Sequence, residues 1–212
     1  MKVAILNSGL GSIHSLQNIL STLDIQAEVI TSQEQLKHFN RIIIPGIGNF
    51  SEAATWIKCQ GWDKIIGQFI SNQNNRVLGI CLGMQLLFGT SEECNFNGRG
   101  FRFFNHNITR LKSNLHSRVP NVGWAPVHRV SETGVFISDN LNGCDFYFVH
   151  SYALIVDKLL AFDDDFDEYA TTKHGGHEFV SMFRKGNLYG CQFHPEKSSY
   201  AGQMVFKSFL SL

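Results

Sequence analysis

The chain has 212 residues, with 18 basic and 18 acidic side chains and no formal net charge, which excludes a broad cationic face for nucleic acid or an anionic membrane. Hydrophobic residues make up 43% of it, enough for a sizeable core in a single domain over residues 1–212, and no apolar run is long enough to cross a bilayer. The five cysteines form no C-x-x-C pair, so neither a disulfide framework nor a zinc knuckle is expected, and a reducing cytoplasm is the natural location.

Val3 to Leu6 reads as a first strand, broken by Gly9 and Gly11. Ser12 can cap a helix carrying Ile13, Leu16, Ile19, Leu20 and Leu23 at helical spacing. Ala27 to Ile30 is a second strand, Gln33 to His38 a short helix, and Arg41 to Ile44 a third strand apolar enough for burial on both faces. Pro45-Gly46-Ile47-Gly48 ends it. Helical patches follow at Phe50 to Lys58 and Trp62 to Ser71, then an apolar strand from Val77. This alternation predicts an α/β fold, a parallel sheet with helices on both faces. Ligands on such sheets bind beyond the carboxyl ends of the strands, where the Pro45 loop and Cys81 both fall. Past Ser91 the rhythm changes to short β-prone pieces at Trp124 to Arg129, Gly134 to Ile137 and Phe146 to Val149, which predicts an additional, smaller antiparallel portion. Asp157 to Glu168, with the run Asp163-Asp164-Asp165, reads as an exposed connector. Strands at Glu168 to Thr172, Phe179 to Arg184 and Leu188 to Phe193 precede a closing amphipathic helix, Gly202 to Leu210.

The most informative stretch is Val77-Leu78-Gly79-Ile80-Cys81-Leu82-Gly83-Met84-Gln85-Leu86-Leu87-Phe88. A β-prone run stops at a cysteine between two glycines, and good helix formers follow. That is the pattern of a nucleophile elbow, in which small neighbours permit a sharp strand-to-helix turn and leave the side chain exposed. The N–H groups of a helix start stabilise negative charge on a thiol placed there. Taken alone, Cys81 reads equally well as a small buried hydrophobe.

The balance shifts at Cys191-Gln192-Phe193-His194-Pro195-Glu196-Lys197-Ser198. A thiol nucleophile needs a base, and the base needs a partner that fixes its tautomer. His194 and Glu196 supply both from one segment stiffened by Pro195. A lone histidine would be read as an ordinary core or surface group; the pair beside proline, set against a glycine-flanked cysteine, favours catalysis. His174-Gly175-Gly176-His177 is the nearest approach to a metal motif, and its surroundings offer no further ligands, so no metal and no cofactor are expected.

Gly79 to Gln85 and His194 to Ser198 resemble the two signature motifs of class I, triad-type glutamine amidotransferases. Pro45-Gly46-Ile47-Gly48, Val119-Pro120-Asn121-Val122-Gly123-Trp124 and Phe146-Tyr147-Phe148-Val149-His150-Ser151-Tyr152 are similar to segments of one branch, the glutaminase subunit of imidazole glycerol phosphate synthase. The resemblance implies a mixed, largely parallel central sheet flanked by helices. It implies that Cys81 attacks the side-chain amide of L-glutamine, that His194 is the general acid and base, and that Glu196 orients it. It assigns the oxyanion to the Leu82 N–H and the Gly46-Ile47-Gly48 segment. It assigns the substrate's amino and carboxylate groups to Gln85, Glu93, Ser151 and Tyr152, each of which, read alone, is an ordinary helix, loop or core residue. It implies a heterodimer with a (β/α)₈-barrel cyclase that receives the ammonia in histidine synthesis, with Trp124 at the interface, although a core tryptophan is an equal reading from sequence. A paralogous subunit serving another synthase, such as a surface-sugar amidotransferase, is the alternative.

Several stretches depart from the family pattern. Asn7-Ser8-Gly9-Leu10-Gly11-Ser12 stands where Asp-Tyr-Gly-x-Gly-Asn is usual. Asn95 replaces a commonly acidic residue, Gly98-Arg99-Gly100-Phe101 replaces Gly-Leu-Gly, Phe103-Phe104-Asn105-His106 is unusual, and His174 stands in place of tyrosine. None falls on the triad.

Overall fold

A computed structural model describes residues 2–9, 11–94, 99–115, 117–132, 134–156 and 165–211. The first part follows the predicted alternation: β1 (Lys2–Leu6), α1 (Ile13–Ser21), β2 (Gln26–Ile30), α2 (Gln33–Leu36), β3 (Arg41–Gly46), α3 (Phe50–Cys59), α4 (Trp62–Ile70) and β4 (Arg76–Cys81). Helix α3 starts where Asn49 Oδ1 accepts from the N–H groups of Ser51 and Glu52, satisfying donors that a helix start leaves free. After β4 come α5 (Leu82–Gln85), β5 (Phe88–Ser91), β6 (Phe104–Arg110), β7 (Asn121–Pro126), β8 (His128–Arg129), β9 (Asp145–His150), β10 (Tyr152–Ala153), β11 (Glu168–His174), β12 (His177–Lys185), β13 (Leu188–Cys191) and α6 (Ser199–Ser211).

The central sheet has eight strands in the order β2-β1-β3-β4-β13-β12-β11-β8. From β2 to β13 the pairings are parallel; β12, β11 and β8 continue it antiparallel. Successive residues of the parallel strands face opposite sides, and both sides are apolar. Ala4, Leu6, Ile42, Ile44 and Val77 pack with Ala53, Ile57, Trp62 and Ile66 of α3 and α4. Val3, Ile5, Ile43, Leu78 and Ile80 pack with Leu16 and Leu20 of α1 and with Val205, Phe206 and Phe209 of α6. Burying each such side chain contributes about 1.5–3 kcal/mol, which is why these strands read as continuous apolar runs. Beside this layer lie a three-stranded sheet, β10-β6-β5, and the antiparallel pair β7-β9. No described helix is long and apolar enough to cross a membrane.

The structure corrects three readings of local structure. The helix after Cys81 ends at Gln85, and Phe88 already opens β5, because its ring is needed in a cluster with Phe104 and Phe183 at centroid distances of 5.2 and 5.6 Å. That cluster, joined by Phe166, also accounts for Phe104 as core packing, while half-buried Phe103 stacks on Phe101 at 5.5 Å. Gly134 to Ile137 is a bend and not a strand: the N–H groups of Phe136 and Ile137 donate to Glu168 Oε2 at 3.0 and 2.9 Å, so a buried carboxylate replaces the ladder. Trp124 to Arg129 splits into β7 and β8, which pair with different sheets. Of the connector, residues 157–164 lie outside the described residues, as do Leu10, Asn95 and Gly98. Asp165 is within them and contacts His106 at 3.0 Å.

Candidate active site

Strand β4 delivers Cys81 to the carboxyl edge of the sheet. Its backbone there is at φ +53°, ψ −110°, a conformation costing a non-glycine residue on the order of 1–3 kcal/mol. The glycines around it make the turn possible by close approach. A Cβ on Gly79 would lie 2.6 Å from the Gly83 carbonyl oxygen, and one on Gly83 would overlap the Ile44 carbonyl of β3. The elbow is thus pressed against the neighbouring strand, with Gly46 directly paired to Cys81.

Strand β13 lies on the other side of β4, parallel to it, with Gly190 opposite Gly79 and Cys191 opposite Ile80. Just past the end of β13, Gln192 lies beside Cys81, and the chain bends through Phe193 to His194. The turn from Pro195 to Lys197 then brings Glu196 back, with Oε1 at 2.7 Å from His194 Nδ1. Ser198 Oγ donates to the His194 carbonyl at 2.7 Å and accepts from the Tyr147 N–H at 3.0 Å, while the His194 N–H donates to the Tyr147 carbonyl. These bonds tie the turn to β9 and fix the imidazole.

His194 Nε2 is buried and lies near the Cys81 sulfur without a well-aligned hydrogen bond among the described residues; in catalytic pairs such contacts are often long before substrate arrives and tighten in the complex. Burial works to lower the His194 pKa; interactions with the Cys81 sulfur and the Glu196 carboxylate outweigh it and raise the pKa from 6.5 to about 10. Cys191, one strand position from the site, is different. Burial, reinforced by the Glu196 charge, pushes its thiol well above the usual value, which makes it a neutral core group.

Cys81 opens into a cavity of about 420 Å³ lined by Ile47, Gly48, Leu82, Gln85, Glu93, Pro120, Val149, His150, Ser151, Tyr152 and Lys197. A somewhat larger depression of about 470 Å³ lies on the edge strand β2 and is lined by neither cysteine nor histidine, so volume alone does not mark the site. Every residue expected at the site, apart from His194, Glu196, Gly46 and the interface residue Trp124, lines the Cys81 cavity. Gly46 packs on the other side of the elbow, and a Cβ there would lie 2.9 Å from Leu82 Cβ. Gly48 has φ +106°, open only to glycine without strain, and Leu82 begins α5, whose first N–H groups have no partner inside the helix. Glu93 Oε2 accepts from the Phe50 N–H at 2.8 Å, which holds the carboxylate at the start of α3, just beyond the glycine segment. Gln85 is buried, and its Nε2 donates to the Tyr152 carbonyl at 2.8 Å and to Gln192 Oε1 at 3.0 Å. Trp124 is 54% exposed on β7, beside Val122 at 56%, which decides against the core reading.

Four contributors escaped the sequence reading: Gln192, His150, Asn121 and Lys197. Gln192 is fully buried, and its Nε2 lies 3.7 Å from Cys81 Sγ. His150 is held between Asn121 Nδ2 at 3.1 Å and the Tyr152 carbonyl at 2.9 Å. Lys197 stands over the Tyr147 ring at 6.0 Å. The pair His174 and His177 is engaged with backbone: His174 Nε2 bonds the Arg118 carbonyl, and His177 Nε2 accepts from the Lys112 N–H.

The chain matches the family described as "Glutamine amidotransferase class-I" over residues 4–212. It is 34% identical to the imidazole glycerol phosphate synthase subunit HisH of Synechococcus sp. (strain CC9902), covering 99% of this chain and 94% of that protein. It is 35% identical to the HisH subunit of Moorella thermoacetica, covering 98% and 93%. The chloroplastic synthase hisHF of Arabidopsis thaliana is 32% identical and matches 98% of this chain with 34% of its own length. A crystal structure of a glutamine amidotransferase, 16% identical, superposes with a TM-score of 0.71 over 99% of this chain and 97% of that one, a likeness of fold. The chain belongs to the class-I glutamine amidotransferase family, with HisH subunits among its relatives.

Proposed function

We propose that the chain is the glutaminase subunit of an imidazole glycerol phosphate synthase, acting as one amidotransferase domain over residues 1–212 in the cytoplasm. The observation that carries the chemistry is the juxtaposition of strained, glycine-flanked Cys81 with the paired His194 and Glu196 across neighbouring strands. The relatives matched nearly end to end carry the HisH name, which supports the synthase assignment.

In this mechanism Cys81 sulfur attacks the carboxamide carbon of L-glutamine. The tetrahedral oxyanion is received by the Leu82 N–H and by an N–H of the Gly46-Ile47-Gly48 segment; one such donor contributes roughly 3 kcal/mol in comparable sites. Imidazolium His194 donates its Nε2 proton to the leaving ammonia as the C–N bond breaks. It then takes a proton from water as the hydroxide adds to the glutamyl thioester, and the Cys81 sulfur leaves as thiolate, which restores the starting thiolate–imidazolium pair. Glu196, on Nδ1, fixes the tautomer and stabilises the imidazolium. Glu93 receives the substrate ammonium, while Gln85, Ser151 and the Tyr152 backbone orient the amino-acid end.

Ammonia released into water would be diluted and protonated, so the site needs a covering partner. A (β/α)₈-barrel cyclase docked over the cavity, anchored by Trp124 and forming a heterodimer, receives the ammonia and makes imidazole glycerol phosphate and aminoimidazole carboxamide ribotide. The deciding experiment is reconstitution with such a barrel and ¹⁵N-amide glutamine. The expected outcome is ¹⁵N in the imidazole ring; glutamine hydrolysis with no transfer to that acceptor, but transfer to a surface sugar by another synthase, overturns the histidine-pathway assignment.

A further inference from the structure

The buried amides around Cys81 form a chain whose direction can be read from one fixed point. The Tyr152 carbonyl oxygen can only accept, so the Gln85 group facing it at 2.8 Å is the NH₂ and the His150 atom facing it at 2.9 Å carries a proton. The second Gln85 N–H therefore points to Gln192, which must present its oxygen, at 3.0 Å. With Oε1 so committed, the Gln192 NH₂ is directed at Cys81 Sγ, 3.7 Å away. At the other end, a His150 protonated on Nδ1 alone accepts at Nε2 from the Asn121 amide, 3.1 Å away. Amide orientations are normally chosen by network consistency, and here a carbonyl that cannot donate leaves one choice throughout.

We infer that Gln192 is a hydrogen-bond donor to the reacting sulfur, held in that orientation by Gln85, so that the residue that orients the substrate also sets the polarity of the nucleophile's surroundings. This rests on Cys81 being the nucleophile. It adds to the triad a neutral donor on the side of the sulfur reached from β13, next to the charged pair His194 and Glu196. Besides His194, the polar neighbours of the sulfur among the described residues are Gln192 and the Val149 carbonyl at 3.9 Å; the carbonyl is an acceptor that favours the thiol, whereas the Gln192 amide favours the thiolate. Hydrogen bonds to charged groups differ from neutral ones by enough to change a rate about tenfold to a hundredfold.

The test compares Gln192→Met, which keeps length and loses the donor, with Gln192→Glu, which keeps shape and puts an oxygen against the sulfur. Two readouts are taken: steady-state glutaminase kinetics of the reconstituted synthase, and the pH dependence of Cys81 alkylation by iodoacetamide, followed by peptide mass spectrometry to separate it from the other free cysteines. The expected result is a fall in kcat of about tenfold to a hundredfold with KM changed less than threefold. The alkylation midpoint moves up by about one pH unit or more, further for Gln192→Glu than for Gln192→Met. A purely structural role would reduce stability and leave the midpoint in place, and an unchanged midpoint in either folded variant overturns the inference. Should neither fold, the unsubstituted protein decides it: the Gln192 side-chain amide NMR signal titrates with the sulfur and loses that titration in Cys81→Ala, or the inference fails. Glutamine hydrolysis by Cys81→Ala would instead sink the nucleophile assignment, which the alkylation midpoint does not depend on.

Discussion

Cys191 of β13 pairs with Ile80 of β4 in parallel register, although the two are far apart in the chain. That one pairing assembles the candidate site. It sets Gln192 beside Cys81 and brings the turn that carries His194 and Glu196 over the sulfur. Because β13 enters the sheet between β4 and the antiparallel β12, the proposed triad is closed by the last parallel strand in the chain. Its geometry depends on sheet register, and a one-residue slip of β13 against β4 would carry Gln192 away from Cys81.

The simplest consequence concerns the sulfur. Cys81→Ala removes the proposed nucleophile and changes the elbow's packing by one small side-chain atom. Glutamine hydrolysis should fall to about 10⁻⁴ of the unsubstituted rate or less. Binding of the barrel subunit and synthesis from added ammonium salts should be retained. Both are measured in one reconstituted preparation, and residual hydrolysis near the original rate would refute the assignment.

The parallel half of the fold was legible because its strands are buried on both faces and its helices carry clear apolar stripes, as in α1 with Leu16 and Leu20. The antiparallel half was less so. Gly134 to Ile137 has strand-like composition, but its amides are satisfied by Glu168, more than thirty residues ahead, and such a long-range substitution leaves no local trace. At the site, Cys81, His194 and Glu196 stood out through spacing. Gln192 did not, because its role exists only once β13 has paired with β4. Trp124 could not be placed, since sequence gives its size but not which face of β7 it occupies.

Glu196→Gln tests the charge on the imidazole. Burial lowers the His194 pKa, and the Cys81 and Glu196 interactions carry it up to about 10. A folded pKa above the unfolded 6.5 means that protonated His194 adds stability below pH 6.5, and that this contribution is lost as pH rises toward 10. Removing the carboxylate's charge disfavours the imidazolium. The alkaline limb of kcat/KM should therefore move to lower pH, with a drop in kcat of about 10² to 10⁴ at neutral pH. The pH–rate profiles of the two proteins decide it: an alkaline limb that stays in place rejects this role for Glu196.

His150 should make the protein labile to acid. Its buried ring has a pKa lowered from 6.5 to about 4, by desolvation first and then by His174 and His194, against a hydrogen bond to the Tyr152 carbonyl that acts upward. A depressed folded pKa contributes stability that is present above pH 6.5 and is lost as pH falls toward 4. The full contribution is on the order of 3 kcal/mol. Urea denaturation at pH 7.5, 5.5 and 4.5 should show the loss in the unsubstituted protein. His150→Gln should start less stable at pH 7.5, having disturbed the bonds to Asn121 and Tyr152, and should lack most of the acid slope.

Trp124 tests the docking face. Its indole is 54% exposed, and beyond its edge contact with Tyr147 at 6.1 Å the side chain contributes little to this chain's own core. Val122, on the same face of β7 and 56% exposed, extends the apolar surface toward the cavity mouth, where Pro120 already lines the wall. An exposed aromatic beside an opening is a natural anchor, and such anchors typically lose about 2 kcal/mol or more on truncation. Trp124→Ala should therefore weaken binding of the barrel subunit by about 30-fold, measured by isothermal titration calorimetry. The melting temperature of the isolated chain should hold nearly constant. Affinity within threefold of the original would mean that the partner docks elsewhere, and a large fall in melting temperature would mean that the indole serves the fold after all.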